Sequence, residues 1–123
     1  MDLNRKGVGN AVLAQASGRI DLSNADAFTT ALSAALTESK AALILDLSKV
    51  DYISSAGLRS LMITLKASKA ENKGFAVAAL QPALTEIFSI ARLSQVIPIF
   101  QTARDAVAKL APNALAEFDV GPR

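Results

Sequence analysis

The segment Ser54-Ser55-Ala56-Gly57 is the part of this sequence whose residue types and spacing suggest chemistry. It follows an apolar stretch and a short polar one, and it stands where a helix is predicted to begin. Small residues at a helix N-terminus leave the backbone approachable, and the free N–H groups and the positive end of the helix dipole favour an anion there. The start of this helix can therefore accommodate a phosphoserine, although serines at helix starts most often act only as caps.

Several kinds of catalytic site are excluded by the residue types. The segment lacks the spacing and the lysine of a phosphate-binding P-loop. The chain contains no histidine and no cysteine, so it has no His-based triad, no disulfide, and no thiolate or imidazole metal site. Asp21 and Asp46 could form a carboxylate pair, but no phosphate loop or metal constellation accompanies them. We predict no metal, no cofactor and no intrinsic catalysis, and nucleotide binding stays open as an alternative.

Length and composition indicate one globular domain. The chain has 123 residues, of which 51% are apolar and 20% are charged. The net charge is +2 without a basic run, so we do not expect nucleic-acid binding. The N-terminus is polar and has no signal-peptide pattern, and no apolar run approaches the roughly 20 residues of a membrane span. We therefore expect a cytoplasmic protein without a membrane span.

Predicted strands and helices alternate along the chain. The apolar patterns predict strands at 2–8, 11–20, 42–47, 74–80 and 96–100, of which the first two form a hairpin. Pro98 indicates that the last strand lies at an edge of the sheet. Helical spacing predicts helices from an N-cap at Ser23 to Ser39, and near 55–71, 82–91 and 103–110, with a loop at 48–54. The fold class is therefore α/β, with a mixed, mostly parallel sheet of four to five strands and about four helices.

The end of the chain is predicted to lie outside the domain. Pro112 and Asn113 end the last helix, so we predict a domain over residues 1–111 and a C-terminal tail over 112–123. The alternative is that the apolar residues of this tail pack locally; they are Leu115, Phe118 and Val120.

The segment 45–61 resembles the signature of STAS domains, and specifically that of bacterial anti-anti-sigma factors, which are anti-sigma factor antagonists. Asp46-Leu47-Ser48 is similar to the triplet that ends a strand in this family, and Ser55-Ala56-Gly57-Leu58 is similar to the helix start that follows. The segments that resemble other family blocks are Gly18-Arg19-Ile20-Asp21, Ile90-Ala91-Arg92-Leu93 and Ile97-Pro98-Ile99-Phe100. The resemblance covers about residues 8–111 and implies a single STAS-type domain.

The resemblance also implies roles for individual residues. Ser55 matches the serine that accepts a phosphate, and Ser54 is a rival acceptor that stands where many members have Asp. Ala56 stands where many members have a second Ser or Thr. Asp21 matches a surface aspartate implicated in partner contact, with capping of the first helix as the alternative. Asn24 is expected to line the same partner-binding surface.

Three more residues belong to the predicted site. Gly57 is included in the partner-binding surface, although close packing of the backbone is its simpler role. Arg59 lies one turn beyond Ser55, where it could pair with a phosphate or with an acidic partner surface, or remain a solvated helix charge. Asp46 is expected to have a structural role near the site.

The resemblance implies a partner-switching mechanism. The unphosphorylated protein would bind an anti-sigma factor that is also a serine kinase, and phosphorylation at Ser55 would end that binding. A metal-dependent serine phosphatase would restore it. The alternative is a non-switching STAS interaction subunit of a lipid-transport or signalling complex.

Overall fold

The apolar stretches of the chain pair into one mixed sheet. A computed structural model describes residues 1–120, and within them five strands form a sheet in the order β1-β2-β3-β4-β5. The pairing of β1 with β2 is antiparallel and the other pairings are parallel. The strands are β1 (Asp2–Val8), β2 (Ala11–Ile20), β3 (Ala42–Ile53), β4 (Gly74–Ala78) and β5 (Ile99–Phe100). This confirms the predicted fold class, the hairpin and the edge position of the last strand.

Helices cover both faces of this sheet. In the same described part of the chain they are α1 (Ala25–Glu38), α2 (Ser55–Ala70), α3 (Pro82–Ile90), α4 (Ala103–Leu110) and α5 (Leu115–Asp119). Short 3-10 turns lie at Leu93–Gln95 and Pro112–Ala114. The parallel connections between β2, β3 and β4 run through α1 and α2, as crossovers between parallel strands require.

Strand β3 is the centre of the core. Its side chains alternate between two apolar layers, with Leu43 and Leu45 facing α1, α2 and α3, and with Ala42 and Ile44 facing α4. All four are fully buried. A strand that is covered on both faces reads as a continuous apolar run, which is why the sequence shows no alternation here.

The prediction of a loop at 48–54 is wrong for residues 48–53, which extend β3. Val50 and Ile53 are buried, and pairing with β2 continues to the pair formed by Ile20 and Ile53. Two register shifts interrupt this pairing. A bulge changes which face a side chain occupies, so it hides the strand pattern that sequence analysis depends on.

Three other predicted boundaries also differ from the structure. Helix α1 begins after Asn24, not after Ser23, because the Ser23 hydroxyl donates to the Asp21 carboxylate and its oxygen accepts no hydrogen bond from a helix N–H. Strand β4 ends at Ala78, before a residue with positive φ. Strand β5 is limited to two residues, since the chain before them leaves a 3-10 turn.

Residues 112–120 pack against the apolar layer beneath α4. Ala114 is buried there, and Leu115 and Phe118 are partly buried against the same layer, whereas Val120 is exposed. The alternative of local packing therefore holds for Leu115 and Phe118 and not for Val120. Residues 121–123 lie outside the described part of the chain, and the domain boundary at residue 111 stays a prediction.

Polar contacts also attach this C-terminal segment. The backbone N–H of Gly9, in the β1–β2 turn, donates to the Glu117 carboxylate. Arg104 of α4 donates to the Asp119 carboxylate at 2.9 Å. The segment therefore contacts both the β1–β2 turn and the first turn of α4.

The left-handed backbone conformation in the turn after β4 can be tested by substitution. Ala79 has φ 60°, in the left-handed region where a Cβ costs about 1–2 kcal/mol. We expect Ala79→Gly to raise the free energy of unfolding by roughly 0.5–1 kcal/mol, as measured by urea denaturation. The control is Ala78→Gly in β4, which should lower it by about 1 kcal/mol because Ala78 is buried and extended. A loss of equal size in both variants would contradict the strain at Ala79.

Candidate functional site

Ser54 is the N-cap of α2. Its backbone is extended, with φ −83° and ψ 172°, and its side-chain oxygen accepts a hydrogen bond from the Gly57 N–H at 3.3 Å. Its own N–H donates to the Ile20 carbonyl at 2.8 Å, which ties the end of β2 to the start of α2. The Ser54 side chain is therefore part of the local structure.

Ser55 is the first residue of α2 and is exposed. In the described chain its hydroxyl takes part in no hydrogen bond. The first turn of α2 contains no acidic residue, so nothing in that turn offsets the positive end of the helix dipole. Ser55 thus presents an unengaged hydroxyl beside backbone N–H groups of the kind that donate hydrogen bonds to an anion.

Gly57 is buried against the ends of two strands. A Cβ at this position would lie 2.6 Å from Cγ1 of Ile53 and 2.7 Å from Cγ2 of Ile20. Both distances are far below van der Waals contact, so only glycine lets α2 begin this close to β2 and β3. The role of Gly57 is therefore to let the first turn of α2 pack closely on Ile20 and Ile53.

The loop between β2 and α1 is organised by Asp21 and Asn24. Asp21 accepts hydrogen bonds from the Ser23 hydroxyl at 2.6 Å and from the Ser23 N–H at 3.0 Å. The Ser23 hydroxyl bond is the main cause that lowers the pKa of the Asp21 carboxyl, so this group is ionised at neutral pH. Asn24 accepts from the Asp21 N–H at 3.0 Å and donates to the Arg19 carbonyl at 2.9 Å.

A shallow groove separates the first turns of α1 and α2. It is lined by apolar and charged residues of both helices and of the loop before α1: Leu22, Ala25, Asp26, Thr29, Ala56, Arg59, Ser60 and Ile63. Two of its apolar side chains are solvent-exposed, Leu22 to 82% and Ile63 to 47%. Of the residues predicted for partner binding, Ala56 and Arg59 line this groove, and Ser55 directly precedes Ala56 at the start of α2.

The apolar part of this surface was not predicted from the sequence. Leu22 falls between the helical face of α1 and the end of β2, and Ile63 falls outside the core stripe of α2. An apolar residue off the core face of a predicted helix was the available signal. The hydrogen bond between Thr29 and Ser60, at 2.6 Å, was also not anticipated, and it holds α1 against α2 beneath the groove.

Asp46 does not lie near this site. Its carboxylate accepts from the Ser48 N–H at 2.8 Å and from the Gln15 amide at 3.4 Å, within the bulged part of β3. The rest of β3, at about 3.3 Å per residue, puts it on the order of 20 Å from Ser55. Its structural role is therefore supported, whereas its expected nearness to Ser55 is wrong, and its carboxylate does not pair with that of Asp21.

Two further properties bear on the possible ligands. Within residues 1–120, no group of three or more acidic side chains is placed to hold a metal ion. None of the helices described is long and apolar enough to cross a bilayer.

Comparison with known proteins identifies the fold family. The sequence model of the STAS domain matches residues 2–106. This chain belongs to the STAS domain family. The match contains the whole sheet, the groove and both helices that border it, so the geometry above is that of a STAS domain surface.

Two relatives are similar over nearly their full length. A Bordetella bronchiseptica protein named "Putative anti-sigma factor antagonist BtrV" is 28% identical over 94% of this chain and 98% of its own. The crystal structure of an anti-sigma factor antagonist from Mycobacterium paratuberculosis is also 28% identical, with a TM-score of 0.80 over 89% of this chain and 92% of that one.

A second solved structure supports the fold alone. The unphosphorylated form of the anti-sigma factor antagonist SpoIIAA has a TM-score of 0.74 at 14% identity, over 88% of this chain and 95% of that one. The STAS-type α/β fold expected from the resemblance is thus confirmed.

The close contacts of Gly57 predict whether alanine at this position stabilises or destabilises the domain. In a helix, alanine is normally about 1 kcal/mol more favourable than glycine. Here the added methyl group meets Ile20 and Ile53, so we expect Gly57→Ala to lower the free energy of unfolding by about 1–3 kcal/mol. Urea denaturation measures this, and any stabilisation would contradict the close contact.

The adjacent serines form a matched pair for a second prediction. Ser54→Ala removes the oxygen that accepts from the Gly57 N–H and should lower the free energy of unfolding by about 1 kcal/mol. Ser55→Ala removes an exposed, unengaged hydroxyl and should change it by less than about 0.5 kcal/mol. Thermal or urea unfolding of the two variants checks this, and the opposite order would show that Ser55, not Ser54, is the cap.

Proposed function

We propose that this STAS domain is an anti-sigma factor antagonist that is switched off by phosphorylation at Ser55. In its unphosphorylated form it binds an anti-sigma factor with serine kinase activity, through the surface at the start of α2. The names of BtrV and of the Mycobacterium paratuberculosis structure support the antagonist role. The domain acts by binding, in the cytoplasm where sigma factors work, and catalysis is left to its partners.

The observation that carries this proposal is the different state of two neighbouring hydroxyls. Ser54 Oγ is engaged in capping α2, whereas Ser55 Oγ is exposed and unengaged. A kinase that supplies its own base and ATP needs only an accessible hydroxyl, and Ser55 offers one. Modification of Ser54 would disturb the cap, while modification of Ser55 leaves the cap in place.

The position of Ser55 explains how a phosphate would change binding. The groove beside it presents exposed Leu22 and Ile63, and apolar groups at an interface bind by being removed from water. A phosphate adds a charge of about −1.5 to −2 at the edge of that surface. Desolvating this charge, or placing it opposite an acidic partner group, costs several kcal/mol, which is a loss of affinity of about a hundredfold or more.

The switch is complete with two partners. The anti-sigma factor acts as the serine kinase that adds the phosphate. A metal-dependent serine phosphatase removes it and restores binding. Asp21 and Asn24 hold the loop next to the groove in shape, and the ionised Asp21 adds a negative group to the surface that the partner meets.

The proposal is tested with the anti-sigma factor kinase captured on a Ser55→Ala bait. Incubation with ATP should add one phosphate, which peptide mapping by mass spectrometry places on Ser55. The same modification is expected in Ser54→Ala and none in Ser55→Ala. By calorimetry, Ser55→Ala should bind as tightly as the unmodified protein, and Ser55→Asp should bind about a hundredfold more weakly.

The control is Ser89→Asp, which adds the same charge on α3, at an exposed position away from the groove. It should bind like the unmodified protein. If a phosphate appears on Ser54 or elsewhere, the acceptor is wrong. If the partner is not a kinase and Ser55→Asp binds normally, the chain is instead a non-switching STAS subunit of a lipid-transport or signalling complex.

A further inference from the structure

We propose that the phosphate on Ser55 is bound within its own helix by the Arg59 guanidinium, so that phosphorylation also withdraws Arg59 from the partner-binding groove. This inference rests on the proposed function, because it concerns how the same surface is regulated. In the phosphorylated protein Arg59 is a positioning residue that holds the phosphate. In the unmodified protein Arg59 contacts the partner.

The spacing of the two residues supports this pairing. Ser55 and Arg59 lie four positions apart on α2, both exposed, and residues at this spacing are neighbours on a helix surface. The favourable order places the negative group on the N-terminal side of the positive one, and a phosphate on Ser55 with Arg59 after it has that order. A guanidinium also matches phosphate oxygens with two parallel hydrogen bonds.

The Arg59 side chain is available for this role. In the described part of the chain, the ion pairs join Arg5 to Glu38, Lys73 to Glu71, and Arg104 to Asp119, so Arg59 belongs to none of them. Asp26 lines the groove on the α1 side without pairing with Arg59. A phosphate at Ser55 would therefore not need to displace an existing partner of the guanidinium.

Other charged groups near the start of α2 do not replace Arg59. The Asp21 carboxylate is held by Ser23 and is negative, so it opposes a phosphate. The Arg19 guanidinium lies over the Tyr52 ring, 4.3 Å from its centre, on strands whose buried neighbours Ile20 and Ile53 face α2. Arg19 and Tyr52 therefore point to the opposite face of the sheet from the groove.

The pairing has a consequence for the partner. Arg59 lines the groove together with Leu22 and Ile63, so in the unmodified protein it offers a cation next to an apolar surface. An acidic side chain on the partner, next to an apolar one, fits this arrangement. Once Arg59 is held by the phosphate, the groove loses that cation and gains a negative charge at its edge, and both changes oppose the same acidic partner group.

The test measures the ionisation of the phosphate itself, in full-length chain with phosphoserine placed at residue 55 during translation. A phosphoserine releases its second proton near pH 6. The Arg59 charge should lower that pKa, so Arg59→Gln should raise it by about 0.3 pH unit, as expected for a pair at this helix spacing. Phosphorus NMR titration reads the value directly, and a role of Arg59 in folding alone would not move it.

Two variants control the measurement. Lys66→Gln removes a positive charge from the same helix at an exposed position beyond the groove, and should leave the phosphate pKa unchanged. Arg59→Lys keeps the charge and should keep most of the lowering. Equal pKa values in the unaltered protein and Arg59→Gln, or equal rises in Arg59→Gln and Lys66→Gln, would overturn the pairing.

The two proposals fail separately. Because the phosphoserine is installed without a kinase, the titration gives a result whether or not a kinase modifies Ser55. If no kinase modifies Ser55 but Arg59→Gln raises the phosphate pKa, the proposed function is wrong and the pairing stands. If a kinase modifies Ser55 but Arg59→Gln leaves the phosphate pKa unchanged, only the role of Arg59 is wrong.

Discussion

The methyl groups of Ile20 and Ile53 leave no room for a side chain at residue 57, and this steric limit fixes where α2 can begin. The two isoleucines are paired across β2 and β3, at the last residues of both strands. Because Gly57 packs directly against them, the first turn of α2 lies on the strand ends. Ser55 is carried to the surface by the same contact, since it precedes Gly57 on the outer side of that turn.

The loop after β2 depends on this arrangement in turn. The Ser54 N–H donates to the Ile20 carbonyl, so the last backbone acceptor of β2 is used by the start of α2. The loop that follows must then satisfy its own polar groups, and Asp21 and Asn24 do so through short local hydrogen bonds. The exposed Leu22 has no place in that network or in the core, which leaves it on the rim of the groove.

Much of the fold could be predicted from the sequence, because its strongest patterns come from burial. Burial on both faces of a sheet explains the apolar run at 42–47. Packing of one helix face on the core explains the stripe from Leu58 to Leu65. Where two effects compete, the sequence was misleading. The bulges of β3 conceal a strand over 48–53, and the hydrogen bond from Ser23 to Asp21 removes a serine that seemed a good cap.

The candidate site could be predicted from the sequence only in part. The motif around Ser55 lies in consecutive residues, so its members stay together in the fold. Asp46 belongs to the same motif in sequence, but it is separated from Ser55 by most of an extended strand, and extended residues add about 3.3 Å each. Groove residues from α1, such as Asp26 and Thr29, come from a different segment, and only tertiary packing brings them to α2.

Two adjacent serines with separate tasks make this surface suitable for a reversible switch. If one hydroxyl had to cap the helix and also accept a phosphate, each modification would disturb the start of α2 and the packing of Gly57. In the proposed switch Ser54 would keep the cap in both states, because its oxygen and not that of Ser55 accepts from the Gly57 N–H. A phosphate on Ser55 would lie beside a helix N-terminus, where the dipole is favourable to it. The fold could therefore stay the same while the surface that a partner meets becomes more negative.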